Sequence, residues 1–451
     1  VSWRESFLTW SRVALLSFGG PAGQIAVMHR IIVEEKKWIG ERRFLHALNF
    51  CMLLPGPEAQ QLATYIGWLM HGPLGGLMAG GLFILPGLIS ILVLSILYTC
   101  FQQAILIQGL FFGLKPAVMA IVIEAVLRIG KRVLKNSTMV AIAASSFVAL
   151  FFFSVPFAVV IVVAALLGFI GSRVAPDRFL ILKGHGPAGS GDAEPAVEPA
   201  YVGDSVAPTW RHALIVSAIC LPLWFGPLVL IWQCLGTDSV LYQEGTFFSQ
   251  AAMVTFGGAY SVLAYVAQHA VEKHGWLSSR EMLDGLGMAE TTPGPLIMVV
   301  QFVAFLGAYR NPGPFTPLGA GIIGSLLTTW VTFVPCFYWI FMGAPFVERL
   351  RANKSLNASL SAITAAVVGV VLNLAVWFSI HTLFRDVGEF HFGPLRLLWP
   401  RWETVDAGAA VIAVVAMVMT FWLKRSMQLS LAVCGALGLL MWLAFFLIDM
   451  S

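Results

Sequence analysis

A stretch of forty residues, Phe18 to Pro57, reappears at Phe256 to Pro295 with a constant offset of 238 and no gap. Thirteen of the forty positions are identical, and most are glycine, proline or aromatic punctuation. They are Phe18/Phe256, Gly19/Gly257, Gly20/Gly258, Ala26/Ala264, Val33/Val271, Glu34/Glu272, Trp38/Trp276, Arg42/Arg280, Leu45/Leu283, Leu48/Leu286 and Pro55-Gly56-Pro57 against Pro293-Gly294-Pro295. Such a chain is a duplicated module. In an apolar chain, corresponding hydrophobic segments interrupted by Gly or Pro mark a transporter binding site.

The solvent follows from composition. Of 451 residues 58% are hydrophobic and 11% charged, where soluble domains carry roughly 25% charged residues. Runs such as Gly80 to Cys100, Val140 to Ile170 and Val411 to Trp422, alone or paired, suffice to cross a hydrocarbon core of about 30 Å. Helices satisfy their own backbone groups in lipid, and the runs lack the alternation of barrel strands. The expected fold class is an all-α polytopic membrane protein. The six cysteines, Cys51, Cys100, Cys220, Cys234, Cys336 and Cys434, form no metal or redox spacing and read as core filler, as small buried hydrophobes. The net charge of +4 fits basic cytoplasmic loops rather than a nucleic-acid partner. No phosphate-binding GxxxxGK[ST] motif is present, the nearest run, Gly109 to Lys115, having the wrong spacing. No cofactor and no metal are expected.

Residues 173–209 are rich in Pro, Gly, Ser, Asp and Glu, as in a flexible linker. It separates an N-terminal repeat, 1–172, from a C-terminal repeat, 210–451. Arg128, Lys131, Arg132 and Lys135 crowd one short loop, and a helical hairpin over 138–154 and 156–172 returns the chain to Arg173, Arg178 and Lys183. Both loops are expected in the cytoplasm. A helix near 211–234 then leads to an external segment holding Asp238 and Glu244. The loop 343–356 carries Arg349, Arg351 and Lys354, whereas Thr99 to Gln103 is uncharged; 385–406 mixes both signs, whereas 128–136 is almost purely basic. This reversal predicts inverted repeats, with the site near mid-bilayer between them.

No helix runs undisturbed through Phe18-Gly19-Gly20-Pro21 or Leu54-Pro55-Gly56-Pro57-Glu58, because Pro lacks the amide donor and Gly is a poor helix former. Arms of about twelve residues reach roughly 18 Å, so the breaks are either tips of re-entrant hairpins or kinks in spanning helices. Either way, amides after each break point inward, and each helix start carries about half a positive charge. Four starts, after Gly20, Gly56, Gly258 and Gly294, sum to roughly +2, which suits a dianion.

The substrate-binding candidates are Gly19, Gly20, Gln24, Pro55, Gly56, Pro57, Gln61, Gly257, Gly258, Tyr260, Ser261, Thr292, Pro293 and Gly294, joined by Lys115, a cation within an apolar stretch. Arg12 lies in the first arm and is an electrostatic candidate. Glu58 and Glu290 flank the Pro-Gly-Pro motifs as proton-coupling candidates, because burial favours the neutral carboxyl beside an anion. For each residue a structural role competes: a cap for Glu58, a snorkelling head for Lys115 and Arg12, neighbour bonding for the neutral donors. His29, His71, His269 and His274 read as interfacial residues.

The segments FGGPAGQIAVMHRIIVEEKKWIGERRF, LLPGPEAQQLATYIGWLMHG and GGLMAGGLFILPG, with TFGGAYSVLAYVAQHAVEKHGWLS and TTPGPL in the second copy, resemble the long, two-domain form of the CHR family of chromate ion transporters. The resemblance implies a bacterial cytoplasmic-membrane protein that exports chromate and confers chromate resistance, with sulfate as mimic or competitor. Interior-negative potential favours that direction by about 2.3 kcal/mol per charge per 100 mV, with proton coupling a candidate addition. A sulfate transporter on the same scaffold and an anion channel are the alternatives; a membrane reductase lacks a redox motif. A homodimer follows only from the commonness of two-fold symmetry.

Overall fold

The computed structural model describes residues 1–101, 104–179, 210–256, 258–346 and 353–449. The first copy begins with α1 (Trp3–Leu16), α2 (Gly20–Met28) continued by a π-helix (His29–Glu35), α3 (Glu41–Cys51) and α4 (Glu58–Phe101). It continues with α5 (Ile105–Val133), α6 (Ser137–Phe153), α7 (Phe157–Val174) and the single turn α8 (Pro176–Phe179). After α9 (Trp210–Leu235) the second copy holds α10 (Val240–Val254), α11 (Ala259–Ala267) with its own π-helix (Gln268–Lys273), and α12 (Ser279–Thr291). A 3-10 turn (Leu296–Met298) leads into α13 (Val299–Arg310), then α14 (Pro317–Gly343) and α15 (Lys354–Leu383). A β-hairpin, β1 (Val387–Phe392) and β2 (Leu395–Pro400), precedes α16 (Ala407–Met417) and α17 (Met427–Asp449). Among the described residues seven helices are long and apolar enough to cross a membrane, so the all-α polytopic class holds, with a small hairpin added.

The sequence repeat is a structural repeat down to single hydrogen bonds. In the first copy Lys36 N donates to Ile31 O and Trp38 N to Ile32 O, both at 2.9 Å. In the second, His274 N donates to His269 O at 2.9 Å and Trp276 N to Ala270 O at 2.8 Å. The turn between them needs a left-handed residue: Gly275 has φ +61°, and Lys37 takes φ +51° at the matching place.

The interrupted segments double back. Lys36 Nζ lies 2.9 Å from Glu5 Oε1, and an Arg12 guanidinium nitrogen lies 2.7 Å from Glu35 Oε2. A helix running straight through the first break would hold residues 5 and 36 about 45 Å apart at 1.5 Å per residue. α4 is itself two helices, broken at His71 (φ −140°) and Gly72 (φ +62°). Its short arm folds onto its long arm so closely that a Cβ at Gly67 would clash with the Gly75 carbonyl. Gly76 and Gly80 serve the same approach, facing Thr64, Phe337 and Phe341. In the second copy α13 packs on α14 in the same way, with Phe305 against Gly321 and Ala308 against Gly324. This doubling back is the chain path that the hairpin alternative requires.

The described residues form two compact units. The first takes them from Val1–Val93, Leu182–Val262 and Thr292–Asn357; the second from Leu94–Ile181, Leu263–Thr291 and Ala358–Ser451. Each draws on both copies. In the first unit Trp10, Phe44, Phe50, Ile66 and Phe83 sit in one buried cluster, while Leu85, Ile89 and Val93 form an exposed i+4 stripe on α4, as a lipid-facing surface requires. In the second, α5 packs against α17 through Gly109 and Gly113, the latter directly against the Cys434 carbonyl. Small residues permit such contact where lipid supplies no hydrophobic drive between helices.

Three expectations change. Glu244 is not in an external loop: it lies in α10 with no exposure. Arg128, Lys131 and Arg132 belong to the last turns of α5, where cations suit the helix C-terminus, leaving a shorter loop. The mixed-charge segment 385–406 contains the antiparallel hairpin, with Val387 opposite Pro400 and Phe392 opposite Leu395. Arg396 of β2 makes a bidentate pair with Glu272, at 2.9 and 3.0 Å, and also meets Glu389. Burial alone would pull the Arg396 guanidinium down, but the two carboxylates hold it above its ordinary value. Residues 180–209 of the expected linker lie outside the described residues, as do Gly257, Arg349 and Arg351.

Candidate functional site

Each first break is an inverse γ-turn followed by left-handed glycine. Ser17 (φ −81°, ψ 79°) and Thr255 (φ −76°, ψ 86°) occupy the turn region, with Phe18 N on Leu16 O and Phe256 N on Val254 O, both at 3.0 Å. The hydroxyls of Ser17 and Thr255 donate back to Val13 O and Ala251 O, both at 2.6 Å. Gly19 (φ +87°), Gly20 (φ +69°) and Gly258 (φ +97°) then restart the chain. The turns leave the carbonyls of Ser17 and Thr255 outside their helices.

The Pro-Gly-Pro motifs supply what those carbonyls lack. Between two prolines only the glycine carries an N–H, and only glycine readily adopts the φ of +132° at Gly56 and +106° at Gly294. Gly56 N donates to Thr255 O at 2.7 Å, and Gly294 N donates to Ser17 O at 2.9 Å. The exchange is reciprocal, each copy's Pro-Gly-Pro pairing with the other copy's first break. Gln24 donates Nε2 to Gly294 O at 2.6 Å, and Tyr260 Oη lies 3.7 Å from where a Gly20 Cβ would be. All four breaks are therefore connected within the first unit.

This network alters the expected inventory of free donors. The Gly56 and Gly294 amides are spent on the cross-copy bonds. The Gln24 amide is spent on a break carbonyl, as is that of Gln61, whose Nε2 donates to Pro55 O at 2.8 Å. The Ser261 hydroxyl reaches Phe256 O at 2.7 Å and Gly258 O at 2.8 Å. These residues hold the unwound backbone in shape. A helix start carries positive potential from its aligned peptide dipoles, so the starts after the breaks favour negative charge beside them. Thr292 and Pro293 complete the second Pro-Gly-Pro approach, with Thr292 buried.

The charged candidates divide. Glu58 opens α4 directly after Pro57. Arg12 is half exposed and paired with Glu35, so it ties the two arms of the first hairpin together. Lys115 and Glu290 belong to the second unit. There Lys115 Nζ pairs with Asp284 Oδ1 at 3.1 Å, while the Tyr98 hydroxyl donates to Asp284 Oδ2 at 2.9 Å. Lys115 thus has a buried counter-ion on α12, which sequence reading missed because the partner comes from the other copy. Glu290 is buried at the end of α12. Gln301 bonds a neighbouring helix, its Nε2 donating to Leu88 O at 3.0 Å. The His29 ring bridges Glu34 and Glu41. At His274, burial and the neighbouring Lys273 ammonium pull the imidazole down.

A shallow cleft in the second unit, lined among others by Gln268, Glu272, Asn373, Trp377 and Arg396, is a separate feature. Among the described residues no group of three or more His, Cys, Asp and Glu side chains could hold a metal ion.

The family model described as chromate transporter matches residues 4–169 and 243–439. The chain is 30% identical to the chromate transport protein of Pseudomonas aeruginosa, over 82% of this chain and 80% of that one. It is 26% identical to the probable chromate transport protein of Synechococcus elongatus, over 92% and 94%, and 26% identical to the chromate transport protein of Cupriavidus metallidurans, over 83% and 82%. No solved structure matches significantly. With its apolar membrane-spanning helices and matches covering most of its length, the chain belongs to the chromate transporter family, a family of multi-pass membrane transporters rather than enzymes.

Proposed function

We propose that this protein exports chromate from the cytoplasm through the junction of the four helix breaks, driven by membrane potential and coupled to protons, and thereby confers chromate resistance. The observation that carries the reading is the reciprocal bond pair, Gly56 to Thr255 and Gly294 to Ser17, which gathers four helix starts in one unit. Those helix starts favour a dianion without a fixed positive side chain. Reciprocity of this kind is what a two-fold axis between the copies produces, and it supports the inverted arrangement of repeats 1–172 and 210–451. In this reading Gly19, Gly20, Gly257, Gly258, Tyr260, Thr292 and the two Pro-Gly-Pro motifs shape the substrate's surroundings, and Glu58 is the flanking acid.

Outward movement of a dianion gains about 4.6 kcal/mol per 100 mV of interior-negative potential, so export needs no further energy source. Sulfate, the same tetrahedral dianion in charge and shape, is the expected competitor. The test is accumulation of radiolabelled chromate in everted membrane vesicles under imposed voltage and pH gradients, with and without sulfate. Accumulation that follows voltage and falls with sulfate supports export. Accumulation absent in everted but present in right-side-out vesicles reverses the direction, and flux indifferent to every proton gradient removes the coupling.

A further inference from the structure

Glu244 in α10 has no solvent exposure, no side chain among the described residues bonds its carboxylate, and the one group that approaches it as a donor is the backbone amide of Ala308. Its Oε2 abuts α14, where a Cβ at Gly324 would lie 2.8 Å from it, 2.8 Å from Ala308 Cβ and 3.1 Å from Ala304 O. On α9, Leu228 faces the adjoining Gly245. None of these neighbours ionises. The charged groups on α9 and α13 sit at their ends: the exposed Arg310 closes α13 beside Tyr309, and Arg211 and His212 open α9 more than fifteen residues before Leu228, while the titratable Cys220 of α9 lies eight residues before Leu228 and Cys336 and Tyr338 of α14 lie twelve or more residues beyond Gly324. An unsatisfied buried polar group costs about 1–3 kcal/mol, and more if charged, so keeping a carboxyl here asks for a use.

A second observation says what that use is. Ser325, Thr328 and Thr332 of α14 are buried, and none of their hydroxyls has a partner among the described residues. Spacings of three and four place them on one face of the helix. That row begins beside Gly324 and continues to Cys336, whose Sγ would lie 2.9 Å from a Cβ at Gly56. From Gly324 to Cys336 the helix rises about 18 Å. Thr329 and Cys336 bond the carbonyls four residues back, so the helix offers that satisfaction and the three hydroxyls do not take it. Beside the Pro-Gly-Pro end, Gln60 Oε1 and Gln61 Oε1 are also buried without partners. Buried polar groups unserved by protein hold ordered water, which needs two to four such neighbours.

We propose that Glu244 is a proton-binding site, joined to the Pro55-Gly56-Pro57 break by a hydrated, hydroxyl-lined track along α14, and that it binds and releases one proton per transport cycle. Uptake forms an O–H bond on the carboxylate and removes its negative charge while the anion occupies the breaks; release returns the proton to track water. The inference rests on the transport reading for its role, but the proton site can be judged alone.

The experiment uses the full chain in proteoliposomes loaded with a pH-sensitive dye, following protons and labelled chromate together. Glu244→Gln is expected to lower the protons moved per chromate at least tenfold. The double variant Thr328→Val/Thr332→Val is expected to slow proton movement severalfold with little change in Tm, because deleting these hydroxyls breaks no hydrogen bond within the protein. A wild-type proton-to-chromate ratio in Glu244→Gln, or wild-type proton rates in the double variant, overturns the proposal. Infrared difference spectra of the detergent-solubilised chain supply the independent arm. A carboxylic-acid band that titrates with pH and vanishes in Glu244→Gln supports the site, and an unchanged band overturns it. Wild-type liposomes that move no chromate would sink the transport reading, while the infrared arm still decides the proton site.

Discussion

Lys115 Nζ lies 3.1 Å from Asp284 Oδ1, and Tyr98 donates its hydroxyl to the other oxygen of that carboxylate. Removing one partner of a buried ion pair strands the other, which costs about 3–5 kcal/mol. Lys115→Ala and Asp284→Ala are each expected to lower the Tm of the detergent-solubilised protein sharply. The apolar double variant Lys115→Met/Asp284→Leu should recover most of the loss. Additive losses in the double variant would show that the pair is not coupled.

The break glycines should rank by what a methyl group would meet. At Gly294 it would lie 3.0 Å from both Gly87 Cα and Gly87 N, which are backbone and cannot yield. At Gly56 it would meet the Gln61 and Cys336 side chains at 2.7 and 2.9 Å. At Gly19 nothing lies within 4 Å, leaving only the left-handed penalty of about 1–2 kcal/mol. Chromate transport is expected to fall most in Gly294→Ala, then Gly56→Ala, then Gly19→Ala. Gly81→Ala, at an ordinary helical position with open space, is the silent control.

Arg396 anchors the β-hairpin to the second π-helix through both oxygens of Glu272. Lysine offers one point charge in place of that fork, so Arg396→Lys should behave much like Arg396→Ala. Both are expected to speed limited proteolysis between residues 385 and 406 severalfold, measured on purified protein, with little change in cleavage elsewhere.

The topology is open to labelling. In a background without the six native cysteines, new cysteines at Lys36 and Lys131 are expected to react only from the cytoplasmic side, and one at Asp238 only from outside. Labelling of position 36 from outside would contradict the doubled-back first hairpin, in which Lys36 meets Glu5.

Glycine and proline announced the architecture well, because they act through the local backbone and need no partner to be read. Gly19, Gly56, Gly258 and Gly294 all carry the positive φ expected of a break, and the helical hairpin after residue 136 starts and ends within two residues of its expected place. What sequence could not supply was pairing. Asp284 drew no notice because the cation that gives it meaning lies on another helix. Glu244, next to Gln243 and Tyr242, looks like part of an exposed polar segment until α9, α13 and α14 close around it. The π-helices have no compositional mark, and the β-hairpin is concealed by the charges of 385–406. Nor could sequence show that the Gly56 and Gly294 amides bond the turn carbonyls of the other copy, because that pairing appears only when the breaks are brought together.

That mutual satisfaction sets a rule for assembly. A polypeptide carrying one such motif holds a glycine hydrogen with no acceptor and a turn carbonyl with no donor, and it can cure both defects only by finding a second polypeptide with the complementary pair. Half of this molecule is thus an unfinished object, and the covalent join between halves makes permanent a partnership that the backbone already demands.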